Sequence, residues 1–403
     1  MRYALLFFVF FIGQGSYFTA LSPYVHTNFG SDSWKVFLAG QITFPLGYFL
    51  SGYISDRLHR IRSLLVPALL LHAPLQFLLF NHPDDLNATI LLSGVVRFLF
   101  AVNIQLISIA ALEGAGTERF GNIRSAGTLS FLLLHLVLFL SVSDWSRVLD
   151  SAGLAFRPDD AGAAGRYGSL FHFLTAAAAL GTPAARISST AYYFRDAARI
   201  IRRPAVIRFL LLSFIFFFSF QLIDYYVGQF LKDRGGLRLL YAGWCLAVLL
   251  EIPFLWFAAR TAGRGGVKSL FLIAAGAGTV RFAWLSLDIL GAAPLPIVYS
   301  QLLHGVQFTG YYMGAIYWLK RTFPDHLFGT GNGIYMVFCS AMGGMIGNLL
   351  YGRLLYSGLA ARFSIGADEA TAGFFPVFFS AMFLQGFVFF CFIFSRSLVS
   401  KDP

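Results

Sequence analysis

A chain of 403 residues with 57% hydrophobic and only 12% charged side chains is not a soluble globular domain, in which about 25% of residues are charged. The formal charge of +11 does not imply a nucleic-acid partner, because the basic residues gather in alternate segments between apolar runs, which is a topology signal. Cys245, Cys339 and Cys391 sit inside apolar runs, so neither a disulfide framework nor a metal cluster is implied, and no cofactor is expected.

Twelve apolar runs approach the roughly 20 residues that a bilayer-spanning helix needs: about 3–25, 34–55, 63–81, 88–112, 122–143, 165–183, 205–231, 238–259, 268–290, 294–319, 328–352 and 374–396. The first continues to Val25 with no small-residue cleavage site and reads as a retained span. Gln14, Ser16, Tyr17, Thr19 and Tyr24 interrupt it. Lipid cannot satisfy their polar atoms, so they face either neighbouring helices or a cavity. Pro23 and Pro45 mark expected kinks. The sixth run is the weakest, short and Ala-rich, and the stretch 144–166 before it reads as an external loop. The expected class is an all-α integral membrane protein.

Between the second and third runs stands Gly52-Tyr53-Ile54-Ser55-Asp56-Arg57-Leu58-His59-Arg60-Ile61-Arg62, whose basic character places it in the cytoplasm. The order is Gly, three residues, Asp-Arg, two residues, Arg-x-Arg. It resembles the loop between helices 2 and 3 of the major facilitator superfamily, usually G-x-x-x-D-R-x-G-R-R, with His59 in place of the second Gly and Ile61 interrupting the basic pair. The resemblance implies twelve helices in two pseudo-symmetric six-helix halves, a substrate site between the halves, and a gating set of Gly52, Asp56, Arg57, Arg60 and Arg62. Physically, Gly52 lets two helix ends approach closely, and Asp56 can either cap a neighbouring helix or pair with an Arg across the loop. The halves are expected at 1–183 and 205–403. They are joined by 184–204, an Arg-rich amphipathic stretch suited to the inner leaflet.

Arg97 lies about ten residues into the fourth run, ~15 Å deep at about 1.5 Å per residue, where a charge marks function by default. Superfamily members carry R-x-x-Q-G in this helix; here only the Arg is kept. Residues 120–131, Phe-Gly-Asn-Ile-Arg-Ser-Ala-Gly-Thr-Leu-Ser-Phe, resemble the Y-G-x-x-R-x-W-G-S-x-G-F opening of helix 5 in the phenylpropionate permease and nucleoside–proton symporter branch, relatives of lactose permease. The G-x-x-x-G-P of drug–proton antiporters is absent from Phe131 to Ser143.

In the second half, Asp224 lies near the external end of the seventh run, where it either pairs with a basic residue or reaches interfacial water. Glu251, Arg281 and His304 fall at one depth in the eighth to tenth runs, ~15–20 Å in. One buried charge can be a structural accident; three at a common depth on consecutive helices is a much rarer arrangement. They also resemble the branch: a Glu before Pro253, an Arg, and Q-x-L-H-G over Gln301 to Gly305. Lactose permease has a Glu one turn after its His, and here that place is Gln307. A carboxyl at mid-membrane switches between neutral and ionised as a cation leaves or faces it. The expectation is therefore that Glu251 carries a proton, Arg281 resets it and His304 bridges to the solute, while a static network joining three helices is the competing reading. Arg97, Tyr17, Gln14, Gln301, Gln307 and Asp224 are the expected solute contacts. Gly329/Gly333 and Gly343/Gly347 in the eleventh run permit close, slidable contact.

The expected function is proton-coupled uptake of a small organic solute such as an aromatic acid, nucleoside or sugar. It would be carried out by a monomer in the inner membrane with both termini cytoplasmic, and its partners would be solute, protons and lipid. Proton-antiport export and a non-transporting receptor or lipid scramblase are the alternatives. No G-x-x-x-x-G-K-[ST] loop supports ATP-driven transport, and no HxxxD or Ser/His/Asp cluster supports an enzyme.

Overall fold

Apolar chain in lipid must satisfy its own backbone, which leaves helices as the local solution for isolated 20-residue runs. The computed structural model describes residues 1–29, 32–58, 60–81, 85–143, 146, 151, 161–182, 194–221, 226–263, 266–355 and 372–395, and among them there is no strand. The helices are α1 (Arg2–Phe29), α2 (Ser33–Leu58), α3 (Ile61–Asn81), α4 (Leu86–Ala115), α5 (Thr117–Ser141), α6 (Ala161–Leu180), α7 (Phe194–Ile201), α8 (Pro204–Phe220), α9 (Gly228–Leu249), α10 (Glu251–Gly263), α11 (Val267–Ile289), α12 (Leu302–Thr322), α13 (Phe328–Tyr335), α14 (Gly343–Leu355) and α15 (Phe374–Phe394). A 3₁₀ turn, Ile297–Gln301, leads into α12, and a π-helical segment, Met336–Met342, separates α13 from α14.

Among the described residues, eight helices are long and apolar enough to cross a membrane. The pair Arg195–Ile201 and Pro204–Phe220, bent by 76°, makes a ninth candidate, and Pro204 at the start of α8 accounts for the bend. Two expected spans differ in detail. The seventh is divided after Phe220, and its turn into the eighth falls at Gly235 and Gly236, the latter at φ 66°, a region open to Gly at no steric cost. The eighth is interrupted at Leu250, where Pro253 cannot donate to the Leu249 carbonyl. Leu250 keeps helical angles (φ −80°, ψ −15°), and α9 and α10 run on as one span, Gly228–Ala262, with Glu251 at the join. Asp224, His59, Arg186 and nearly all of 144–160 lie outside the described residues. On α7, Ala197 and Ile200 are buried, while Arg195 and Arg199 are exposed.

The chain forms two compact units. The first comprises Met1–Ala198 and Leu319–Val337; the second comprises Arg199–Trp318 and Phe338–Pro403. In the first, α2 packs along α4 and α13, α3 along α6 and α4, and α1 against α5 and α6. Phe7, Phe10, Tyr17 and Phe120 are fully buried there. In the second, α11 packs on α15, and α8 on α14 and α15. Its core is aromatic: Phe216 stacks on Tyr311 at 3.6 Å, Phe209 on Trp318 at 3.9 Å and Phe271 on Phe392 at 4.9 Å. The buried Tyr311 hydroxyl donates to Ser213 Oγ at 2.9 Å. Phe383, Phe387, Phe390 and Phe394 of α15 are exposed, the face that suits lipid.

Candidate solute, proton and hinge sites

The first unit holds an arginine in an aromatic cage. Arg97 of α4 points its guanidinium at Phe18 (5.0 Å to the ring centroid), Phe44 (4.9 Å) and Phe100 (5.6 Å). The contacts are cation–π interactions, drawn from α1, α2 and α4. The Arg97 aliphatic stem fits because Gly40 on α2 has no side chain; a Cβ there would lie 2.8 Å from Arg97 Cγ. One guanidinium nitrogen, Nη1, is buried without a hydrogen-bond partner. Gln14 and Tyr17, on the α1 turns leading to Phe18, are both fully buried. Neither polar atom of Gln14 has a partner, and the Tyr17 hydroxyl turns to Ser93. Phe10 and Phe18 both meet Phe100, at 5.9 and 5.5 Å. Residues spaced by four share a helix face, so Gln14 lies on the same face between them. Buried polar groups are nearly always bonded. Three unpartnered atoms on Arg97 and Gln14 are the mark of a place that something polar occupies.

The second unit gathers most of the expected proton set. Arg281 is fully buried on α11. Its Nη2 donates to Gln301 Oε1 at 2.6 Å and its Nη1 to Gln307 Oε1 at 3.4 Å, while Nε has no partner. His304 stacks on Phe220 and Phe308 (5.6 and 6.1 Å) and meets Trp244 edge-on at 6.3 Å; its Nδ1 is unpartnered. Glu251 is buried at the break between α9 and α10. Gly305, next to His304, closes on that break: a Cβ there would lie 2.6 Å from the Ala247 carbonyl and 2.7 Å from the Glu251 amide. A cavity of about 10 Å³, room for roughly one water, is lined by Gly243, Trp244, Ala247, Gln301 and His304 among others. The structure thus brings Arg281 together with Gln301 and Gln307, and sets Gly305, next to His304, against the Glu251 backbone.

At the signature stretch, Leu327 precedes α13 and supplies no side-chain cap, which leaves helix-end N–H groups open. Asp56 of α2, 1% exposed, fills that role: its carboxylate accepts from the Thr330 amide at 2.6 Å and the Thr330 hydroxyl at 2.7 Å. Of its two expected options, capping is the one observed. Gly52 lies against Gly329, so a side chain on Gly52 would strike the Gly329 carbonyl. Gln105 of α4 donates to that carbonyl at 3.2 Å and accepts from Asn332 at 2.5 Å. Arg57 and Arg60 are exposed, and Arg62 donates to the Leu180 and Thr182 carbonyls, each at 3.3 Å, at the favourable end of α6 for a cation.

One cluster has no counterpart in the sequence reading. His72 and His172, both fully buried, stack at 4.0 Å. Gln76 donates to the Gly13 carbonyl at 3.3 Å, which fixes its oxygen toward His172 Nε2 at 2.9 Å. His172 Nε2 therefore carries the proton. Asn103 bonds His72 Nδ1 at 3.1 Å. The four residues come from three separate runs, so only the i,i+4 pair His72/Gln76 offered a signal.

The sequence model of the MFS_1 like family matches residues 1–365. No curated protein matches the chain in sequence. Among solved structures it is similar to a single-residue variant of the nucleoside transporter NupG (TM-score 0.72, 16% identity, 97% of this chain and 98% of that one). It is also similar to the human organic anion transporter MFSD10 (TM-score 0.68, 16% identity, 97% and 99%) and to a D-xylose–proton symporter (TM-score 0.64, 16% identity, 99% and 96%).

Proposed function

Since this chain belongs to the MFS_1 like family and is a multi-pass transporter with the major facilitator fold, not an enzyme, we propose that it takes up a small organic solute by proton-coupled symport. The observation that carries this reading is the aromatic cage, with unpartnered polar atoms on Arg97 and Gln14 and the buried Tyr17 beside them. A flat solute with an anionic or strongly polar end would stack on the rings and satisfy those atoms. Aromatic acids, nucleosides and sugars are the candidate classes; the similar folds named above include transporters of nucleosides, xylose and organic anions. Gln301, Gln307 and Asp224 would complete the solute contacts. Glu251 would carry the proton, with Arg281 resetting it and His304 bridging to the solute. The halves 1–183 and 205–403, joined by the cytoplasmic linker 184–204, would alternate access, with Gly52, Asp56, Arg57, Arg60 and Arg62 as the gating set. The protein would act as a monomer in the inner membrane, both termini cytoplasmic.

The test is uptake into proteoliposomes of three labelled probes, an aryl carboxylate, a nucleoside and a pentose, with an imposed proton gradient. Accumulation of one of them when the outside is acidic, abolished by a protonophore, is expected. Movement of the accumulated probe against the proton flow would overturn symport in favour of antiport. Accumulation indifferent to the gradient would overturn proton coupling.

A further inference from the structure

We propose that Arg281 is an anion-binding site whose ligand is a single monovalent anion, either a free halide or the carboxylate of a transported solute. A guanidinium is always charged and presents five N–H donors in a rigid fork. Full burial strips it of water, and a buried charge needs a counter-charge or a full set of bonds. Arg281 has neither. Its hydrogen-bond partners are two neutral carboxamides, one of them at 3.4 Å, the Phe282 ring lies 5.6 Å away, and its Nε–H is unpartnered. Lys35–Asp32, Arg234–Asp288 and Lys320–Asp325 are side-chain ion pairs, and none includes Arg281.

One neighbouring side chain keeps a donor to spare. Gln307 turns its oxygen to Arg281, leaving its buried Nε2 without an acceptor. That NH₂ faces the niche left by Gly278, one helical turn before Arg281, across from the unpartnered Gln385 Oε1. Gln385 is turned that way because its Nε2 donates to Ser219 Oγ at 2.6 Å and the Phe216 carbonyl at 3.1 Å. Gln301 both bonds Arg281 and lines the small cavity with Trp244 and His304. An anion that reaches Arg281 displaces one neutral oxygen and replaces it with a charge-assisted bond, the stronger of the two.

This deepens the proposed symport and rests on it in one respect: Glu251 and an external anion compete for one guanidinium. With the anion on Arg281, Glu251 holds its proton, so one anion and one proton move together without net charge.

The site is tested without transport. Melting of the purified full-length chain in detergent is followed while bromide or benzoate replaces sulfate at constant ionic strength, with benzyl alcohol as the uncharged control. Wild type should show a saturable rise in Tm of several degrees with bromide, benzoate or both, and none with benzyl alcohol. Arg281→Gln should lose the response, and Arg281→Lys should weaken it at least tenfold. Gln301→Glu, which supplies an internal carboxylate, should fold and also lose it, so the test survives a failure of Arg281→Gln to fold. Benzoate alone assigns the solute carboxylate, and bromide alone a free halide. Absence of any saturable response in wild type, or a response kept in Gln301→Glu, overturns the proposal. So does a response lost only in Arg97→Ala. None of these outcomes touches proton-driven uptake, so the two readings fail separately.

Discussion

The first unit surrounds Arg97 with three aromatic faces, whereas the second gives Arg281 one ring, Phe282 at 5.6 Å, and two carboxamides. Ring faces offset a cation without directional bonds, by about 0.5–2 kcal/mol each, and leave an Arg97 nitrogen free to grip a planar partner. Carboxamides fix the orientation of Arg281 but leave its charge unmatched. The first arrangement suits recognition by shape and stacking. The second suits a charge that changes partners. Removing each arginine should therefore do different things.

The largest effect is expected at Arg281. Replacement by Met, similar in volume, removes a buried charge whose loss is often neutral or stabilising, so Tm should stay close to wild type while proton-driven uptake falls at least a hundredfold. Uptake at wild-type rate in Arg281→Met would make the second cluster structural. Asp56→Ala comes next, since it strands the Thr330 amide and hydroxyl. A loss of about 1–3 kcal/mol in urea unfolding is expected, together with slower transport; unchanged stability would mean that α13 is capped by water. Arg97→Lys keeps the charge and loses the planar fork, so solute KM should rise about tenfold with Vmax largely kept. An unchanged KM would leave Arg97 a packing role. Gln14→Ala is the smallest: it deletes an amide with no partner, so stability should hold or rise by about 1 kcal/mol while solute affinity drops a few-fold, read by the same uptake titration.

The fold was legible because lipid leaves a chain little choice: among the described residues, each of the twelve expected runs falls largely on helix. Details set by tertiary contact were not legible. The interruption at Leu250 has a local cause in Pro253, whose missing N–H leaves the Leu249 carbonyl without its helical donor; the packing of Gly305 on the Ala247 carbonyl could not be read from the run 238–259. Asp56 as a cap was foreseeable as one of two options; only Leu327, a residue unable to cap, decides between them. At Arg97 the sequence offered depth but no surroundings, since nothing local distinguishes Phe18, Phe44 and Phe100 among 46 phenylalanines. The His72–His172 stack was invisible because the pairing joins residues a hundred positions apart.

Proton coupling through Glu251 is the claim on which the account turns, and the most direct measurement compares two modes of the same proteoliposome. Glu251→Gln mimics the protonated carboxyl. Solute that wild type concentrates on an imposed proton gradient should no longer be concentrated by the variant, whereas exchange of labelled for unlabelled solute at equal pH should persist. A Glu251→Gln protein that still concentrates the solute with the wild-type pH dependence would contradict the account and leave Glu251 as a structural residue at a helix break.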